Sequence, residues 1–327
     1  MPDPSFPPAI TVTGLRKSYG EHTVLDGIDL EVAAGTVFSL LGPNGAGKTT
    51  AVNILTTLIR ADAGHAWVGG HNVIKEPDAV RAAIGVTGQF SAVDRLLTGE
   101  ENLTLMGDLH HLARRETRRR TTELLERFDL ADAAKRLAGT YSGGMTRRLD
   151  LAMSLIGEPS ILFLDEPTTG LDPRSRRTMW HVIRALATSG VTVLLTTQYL
   201  DEADELADRI AVLDHGTLVA EGAPDELKRL VTGGHINVQF TDFEGLEAAA
   251  RALGDISGDH DTLTLQIPSD GSVASLKALL DRFDDQSIAV ENLSIHTPDL
   301  DDVFFALTGH TGADASAGAH DERVTTL

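Results

Sequence analysis

Two short segments of this chain carry residues ordered for phosphate chemistry. The first is Gly42-Pro43-Asn44-Gly45-Ala46-Gly47-Lys48-Thr49, which fills every position of the phosphate-loop pattern. Its glycines let the backbone wrap closely, with φ > 0 where required, so that successive N–H groups converge on an anion. Lys48 is then set to reach the β and γ phosphates, and Thr49 to offer its hydroxyl to Mg²⁺. The second segment is Ile161-Leu162-Phe163-Leu164-Asp165-Glu166, an apolar run ended by two carboxylates about 115 residues after the loop. In that position Asp165 can hold Mg²⁺ through water, and Glu166 can polarise an attacking water as general base. Together they predict a nucleoside triphosphate site with its metal.

These residues need rigid elements to aim them. The loop follows an apolar run, Val37 to Leu41, and precedes a helix, whose N-terminus adds a favourable field for an anion. Further strand-like runs, Ile10 to Thr13, Ile161 to Leu164, Val191 to Thr196 and Ile210 to Asp214, alternate with helical stretches. Short Val/Ile/Leu runs bounded by Gly and Asp predict an α/β fold of P-loop NTPase type with buried strands. Between about 89 and 157 the pattern becomes almost wholly helical, as in Leu103 to Leu112 and Thr117 to Phe128, which predicts an inserted helical subdomain.

The character changes after Leu230. Gly233-Gly234 reads as a linker, followed by strands at Ile236 to Phe240, Leu263 to Ile267 and near Ala289 to Ile295. Helices are expected near Leu246 to Leu253 and Val273 to Phe283. A last short helix carries Leu300, Val303, Phe304 and Leu307 on one face by the i, i+3, i+4, i+7 rule. The expected organisation is an N-terminal extension over 1–9, a nucleotide-binding domain over 10–232 and a small α+β accessory domain over 235–310. Residues 311–327 hold little to bury and are expected to be a disordered tail.

Composition narrows the function classes. The 327-residue chain has no cysteine, which excludes disulfides, thiolate nucleophiles and Cys-ligated metals. No apolar run approaches the roughly 18 residues needed to span a bilayer, so a membrane role requires another subunit to provide the path. A formal charge of −20 argues against binding nucleic acid or anionic lipid broadly. The basic exception, Arg114, Arg115, Arg118, Arg119 and Arg120, reads first as a solvated helix face and second as a contact for an acidic protein. None of the 12 histidines has trustworthy ligand spacing, so no metal beyond Mg²⁺ is expected.

A phosphate loop and an acidic strand end leave GTPases, kinases and many ATPases open. Tyr141-Ser142-Gly143-Gly144-Met145 narrows the field, since Ser followed by two Gly at a helix start makes a second phosphate-binding N-terminus. Its place before the Asp165-Glu166 strand resembles the signature sequence of ABC transporter ATP-binding proteins. The resemblance covers about Ile10 to Leu230. It implies that Ser142, Gly143 and Gly144 bind the γ-phosphate of ATP held by an opposite subunit. It also implies that Tyr19 stacks on adenine, that the nucleotide contact extends to Thr50, and that Gln89 touches Mg²⁺ and the attacking water. Gly170-Leu171-Asp172-Pro173 resembles the loop through which paired cassettes sense each other, with Asp172 its informative residue.

One position departs from the general family pattern. After the strand ending at Thr197 the family usually presents a histidine to the γ-phosphate, and here the residue is Gln198, whose amide can donate a hydrogen bond but carry no charge. The run Thr196 to Asp204 is similar to the branch typified by the daunorubicin/doxorubicin resistance ATP-binding protein, in which Gln is usual there. The ending Leu300-Asp301-Asp302-Val303-Phe304-Phe305-Ala306-Leu307-Thr308-Gly309 also resembles that branch. The resemblance implies a cytoplasmic ATPase acting as a homodimer, peripheral to the membrane through a separate integral permease, with ATP and Mg²⁺ as cofactors and hydrophobic drugs or lipids as exported cargo. Two alternatives are a regulated importer and a non-transport ABC ATPase acting on DNA or ribosomes. The short accessory domain argues against the first. The lack of long coiled-coil insertions or a second cassette, with the acidic charge, argues against the other.

Overall fold

The computed structural model describes residues 8–89, 91–231, 234–254, 258–260, 262–269, 272–286 and 288–309. The expected N-terminal extension as far as Pro7, Phe90, Gly233 and the expected tail lie outside the described residues. The chain divides into two compact units at Pro224/Asp225, with Asp225–Gly309 forming the second. The division therefore falls before the boundary at 232 that composition suggested.

The first unit begins with β1 (Ile10–Tyr19), β2 (His22–Val32) and β3 (Val37–Leu41), then α1 (Lys48–Leu55). After these come β4 (Ala63–Val68), β5 (His71–Asn72), α2 (Pro77–Ala83) and β6 (Ile84–Thr87). The helical insertion holds α3 (Gly99–Leu109), α4 (Arg114–Arg127) and α5 (Gly143–Ser154). Then β7 (Ile161–Asp165), α6 (Pro173–Thr188), β8 (Thr192–Thr197), α7 (Leu200–Leu206), β9 (Arg209–Asp214) and β10 (Thr217–Gly222) complete it.

Two sheets result. One is antiparallel, in the order β2-β1-β4-β5; the other runs β10-β9-β3-β8-β7-β6, parallel except at β10. The parallel strands are covered on both faces, which is why they read as continuous apolar runs rather than alternating ones. Phe38, Leu40, Ile161 and Phe163 enter one core with α1 and the antiparallel sheet. Val37, Leu162, Leu164, Val193 and Leu195 enter the other, with the helical insertion and α6. This alternation puts successive residues of each strand into different cores.

Register decides where the chemistry goes. Leu41 pairs with Thr197, Asp165 with Thr196, and Thr87 with Leu164, so β3, β8, β7 and β6 end together. The segments that follow these carboxyl ends share one edge, the place where open α/β sheets bind ligands. The arginine run lies on α4, where Arg119 and Arg120 pair with Glu116, Glu123 and Glu158. Two of the five arginines are thus neutralised locally, Arg119 half-exposed and Arg120 mostly buried.

The division falls at the first residue of α8 (Pro224–Lys228), and the second unit continues with β11 (His235–Phe240), α9 (Phe243–Ala252), β12 (Thr264–Pro268), α10 (Val273–Asp285), β13 (Val290–His296) and α11 (Leu300–Thr308). The strands form an antiparallel sheet in the order β12-β11-β13. Ile236, Val238, Phe240 and Leu265 meet Leu246, Leu279 and Phe283 of the helices in its core. In α11 the residues Leu300, Val303 and Phe304 are buried, but Leu307 is 37% exposed. The apolar face therefore stops short of the last turn, one residue earlier than helical spacing suggested.

Candidate functional site

The phosphate loop joins β3 to α1, and two of its glycines are fixed by geometry. Gly47 caps α1 in the left-handed region with φ 109°, and a Cβ there would lie 2.7 Å from Leu25 Cδ2 and 2.8 Å from the Val24 carbonyl. A Cβ on Gly42 would meet the Leu213 carbonyl at 2.2 Å. Any other residue would push the loop off β2 and β9. Lys48 Nζ donates to the carbonyls of Gly42 at 2.8 Å and Pro43 at 3.0 Å. Burial pulls its pKa down, opposed by the charges of Glu166 and then Asp165.

Loop and sheet edge enclose a cavity of about 640 Å³ lined by Asn44, Gly45, Gly47, Lys48, Thr49, Thr50, Gln89, Glu166, Thr169 and Gln198, with His22 and Val24 on one side. Asp165 stands behind it, buried, and its Oδ1 accepts from Thr196 Oγ1 at 2.5 Å and Thr49 Oγ1 at 3.3 Å. Hydroxyl and carboxylate oxygens side by side suit a hard divalent cation such as Mg²⁺, and the N–H-rich loop suits phosphate.

Glu166 occupies a strained position. Its φ is 48°, in the left-handed region, which costs a non-glycine residue roughly 1–2 kcal/mol. Hydrogen bonds hold it there: its N–H donates to Thr196 O at 3.2 Å and Oγ1 at 3.1 Å, and Arg147 donates to its carbonyl at 3.2 Å. The turn aims the carboxylate into the cavity, with Oε1 3.8 Å from Lys48 Nζ and Oε2 accepting from Thr169 Oγ1 at 3.2 Å. Gln198, after β8, is 8% exposed, and its Oε1 has no hydrogen-bond partner among the described residues.

The remaining expected residues do not line this cavity. Tyr19 ends β1 opposite His22, with its ring 53% exposed and Lys17 Nζ 5.3 Å from the centroid. The neighbouring wall is made by His22 and Val24 instead. Ala46 is buried within the loop. Ser142 caps α5, accepting from the Met145 N–H at 3.3 Å. Gly143 and Gly144 form the first turn of that helix, and a Cβ on Gly144 would lie 2.6 Å from Ser175 Oγ. Asp172 caps α6, accepting from the Arg174 and Ser175 N–H groups at 3.0 Å each. The Ser175 hydroxyl and these N–H groups hold its carboxyl below the usual range.

Sequence reasoning missed the supports. Thr196 orients Asp165 and Glu166, Arg147 anchors the backbone around them, and Glu202 on α7 is fully buried. Glu202 Oε1 accepts from Thr168 Oγ1 at 2.8 Å and Trp180 Nε1 at 3.1 Å. The one available signal for Glu202 was its position beside Ala203 and one helical turn from Leu206, both buried.

Comparison with known proteins agrees with this arrangement. Residues 25–169 match the family profile described as ABC transporter. The daunorubicin resistance ATP-binding protein DrrA2 of Streptomyces coeruleorubidus is 50% identical over 307 residues, covering 92% of this chain and 95% of that protein. The daunorubicin/doxorubicin resistance ATP-binding protein DrrA of Streptomyces peucetius is 48% identical over 323 residues, covering 97% and 98%. Among solved structures, a dimeric post-hydrolysis state of the ATP-binding cassette MJ0796 bound to ADP and Pi superimposes with a TM-score of 0.59. It is 26% identical and covers 65% of this chain and 98% of that one. With its phosphate loop, acidic strand end and signature helix on the same α/β framework, the chain belongs to the ATP-binding proteins of the ABC transporter family, in the daunorubicin/doxorubicin resistance branch.

Proposed function

We propose that this ATPase powers export of hydrophobic drugs or lipids as a pair of identical cassettes beneath a separate membrane permease. The observation that carries the pairing is the arrangement of its two phosphate-binding features. Lys48, Thr49, Gln89, Glu166 and Gln198 share one cavity, whereas Ser142, Gly143 and Gly144 of the same chain are absent from its wall. A signature helix that does not serve its own loop is matched to a loop on a second copy.

In this reading the loop N–H groups and Lys48 hold the phosphates, with Tyr19 closing on adenine. Mg²⁺, held by Thr49 and Asp165 with Gln89 nearby, would neutralise charge on the β and γ phosphates. Glu166 takes a proton from the attacking water, and Gln198 donates its amide to the γ-phosphate. Ser142 and Gly144 of the opposite copy close on that phosphate, and Asp172 reports the state of one cassette to the other. Hydrolysis breaks the bond between the β and γ phosphates, and departure of the freed phosphate removes the charge that joins the pair.

Among the described residues no helix is long and apolar enough to cross a membrane. The membrane path is assigned to the permease, docked near Gln89, Leu96 and Leu97 on the cytoplasmic face, with Val93 buried in the core beneath them. Leu96 is 83% exposed, consistent with a contact awaiting a partner. The export direction and cargo class rest on likeness to drug-resistance relatives. The test is ATP-dependent accumulation of an anthracycline in inside-out vesicles containing this chain and a candidate permease. Accumulation abolished by Lys48→Ala is expected; accumulation in ATP-free vesicles or with the Lys48→Ala chain would overturn the reading.

A further inference from the structure

Arg147 lies on the signature helix α5, one turn beyond Gly144, and its side chain is only 12% exposed. Every N–H of its guanidinium has an acceptor. Nε donates to Pro167 O at 2.9 Å. One terminal nitrogen donates to Gly88 O at 3.0 Å and Asp150 Oδ2 at 3.3 Å. The other donates to Asp165 O at 3.0 Å and Glu166 O at 3.2 Å. Asp150 completes the link, since its Oδ1 accepts from the Ala92 N–H at 3.0 Å.

The choice of acceptors is informative. β6 ends at Thr87 and β7 at Asp165, so Gly88 and the carbonyls that follow Asp165 lie where the ladder between those strands runs out. Buried carbonyls there need donors from elsewhere. One planar fork supplies them to both chain segments at once, a geometry that lysine's compact ammonium cannot reproduce. Gly88 directly precedes Gln89, and Glu166 sits in left-handed backbone that its neighbours must hold. The guanidinium thus ties α5, the Gln89 segment and the strained acidic turn into one frame.

We infer that Arg147 is a positioning residue: it fixes the Glu166 turn relative to Gln89 and transmits displacement of the signature helix or the Gln89 segment to the attacking-water position. The inference rests on the proposed role of Glu166 as general base. It adds a route by which a permease pressing near Gln89 alters hydrolysis in the same copy without touching nucleotide.

The test uses the full chain, with ATP turnover, nucleotide affinity and thermal melting measured for Arg147→Lys and Arg147→Ala. Because Lys48 and Thr49 are on another element, KM and nucleotide affinity should stay within about twofold, while kcat falls about 10- to 100-fold in both variants. Guanidinium at low millimolar concentration should restore part of the turnover of Arg147→Ala. Arg148→Lys, at a bridge of 3.1 Å to the exposed Asp129 and away from the Glu166 turn, should leave turnover unchanged. Wild-type kcat in Arg147→Lys overturns the inference. So does parallel loss of affinity, turnover and folding in both variants, which marks a purely structural residue. Glu166→Gln is assayed alongside: an active Glu166→Gln defeats the general-base reading itself, whereas an inactive one beside a fully active Arg147→Lys defeats only the positioning role.

Discussion

Lys48 Nζ and Glu166 Oε1 face each other at 3.8 Å across the mouth of the nucleotide cavity, both largely buried. Lys48 opens α1 after the loop that follows β3, and Glu166 follows β7, with β8 between those strands, so the sheet register rather than sequence proximity brings them together. The pair joins the group proposed to hold phosphate to the group proposed to activate water.

Exchanging Glu166 for Gln removes the charge and the base while leaving a similar shape on the left-handed turn. ATP affinity should be kept, and phosphate release should fall about 10²- to 10⁴-fold, the range for loss of a general base. With ATP bound and not hydrolysed, the cassettes should accumulate as a pair on size-exclusion chromatography. A variant that turns over normally and stays monomeric with ATP is the opposite result.

At Gln198 the side-chain carbonyl oxygen is buried without a donor among the described residues, a condition that costs about 1–3 kcal/mol in a folded protein. The amide nitrogen remains free to point at phosphate. Gln198→His offers a ring N–H from the same strand end, so phosphate release should be unchanged or faster. Complete loss of hydrolysis would give the glutamine a role that donation alone does not explain.

Much of this was legible in the sequence, for identifiable reasons. β3, β7 and β8 are buried on both faces, so they stand out as apolar runs stopped by Gly42, by Asp165 and by Gln198. The antiparallel sheet was harder to read. β1 continues past Thr13 to Tyr19 and pairs with β2, but Arg16, Lys17, Asp26, Asp29 and Glu31 break the apolar pattern on its exposed positions. Arg147, Asp150 and Glu202 were illegible because a charge on a helix ordinarily faces water. Their burial depends on which carbonyls and hydroxyls the tertiary fold delivers, and no local spacing encodes that. Leu307 differs in the reverse sense, with correct periodicity but less cover than Leu300, Val303 and Phe304 among the described residues.

The two loop glycines Gly45 and Gly47 should separate backbone strain from packing. Both have positive φ, 81° and 109°, yet a Cβ at 45 meets nothing within 4 Å while one at 47 meets β2. Gly45→Ala should cost only the left-handed penalty, roughly 1–2 kcal/mol. Gly47→Ala adds overpacking against backbone, for a total of about 2–5 kcal/mol, and should abolish nucleotide binding. Denaturant unfolding with fluorescent-nucleotide titration measures both, and equal effects would mean that the contact with Val24 and Leu25 is easily relieved.

Glu202 gives a prediction in pH. Burial pushes its carboxyl pKa above the ordinary glutamate value, and hydrogen bonds from Thr197, Thr168 and Trp180 offset only part of that. The folded state therefore holds this proton at pH values where the unfolded chain has released it. Linkage fixes the sign: the contribution to stability is fully present below the unfolded-state pKa and is lost as pH rises towards the raised folded value. Glu202→Gln keeps an oxygen for the Thr168 and Trp180 donors and cannot ionise. Its melting temperature should match wild type below the ordinary glutamate pKa and exceed it by a growing margin as pH rises above that value. Glu202→Ala should melt lower throughout this pH range, since it strands the buried Thr168 hydroxyl and Trp180 N–H at about 1–3 kcal/mol each. A Glu202→Gln curve parallel to wild type across that range would mean that burial does not hold the proton on this carboxyl in the folded state.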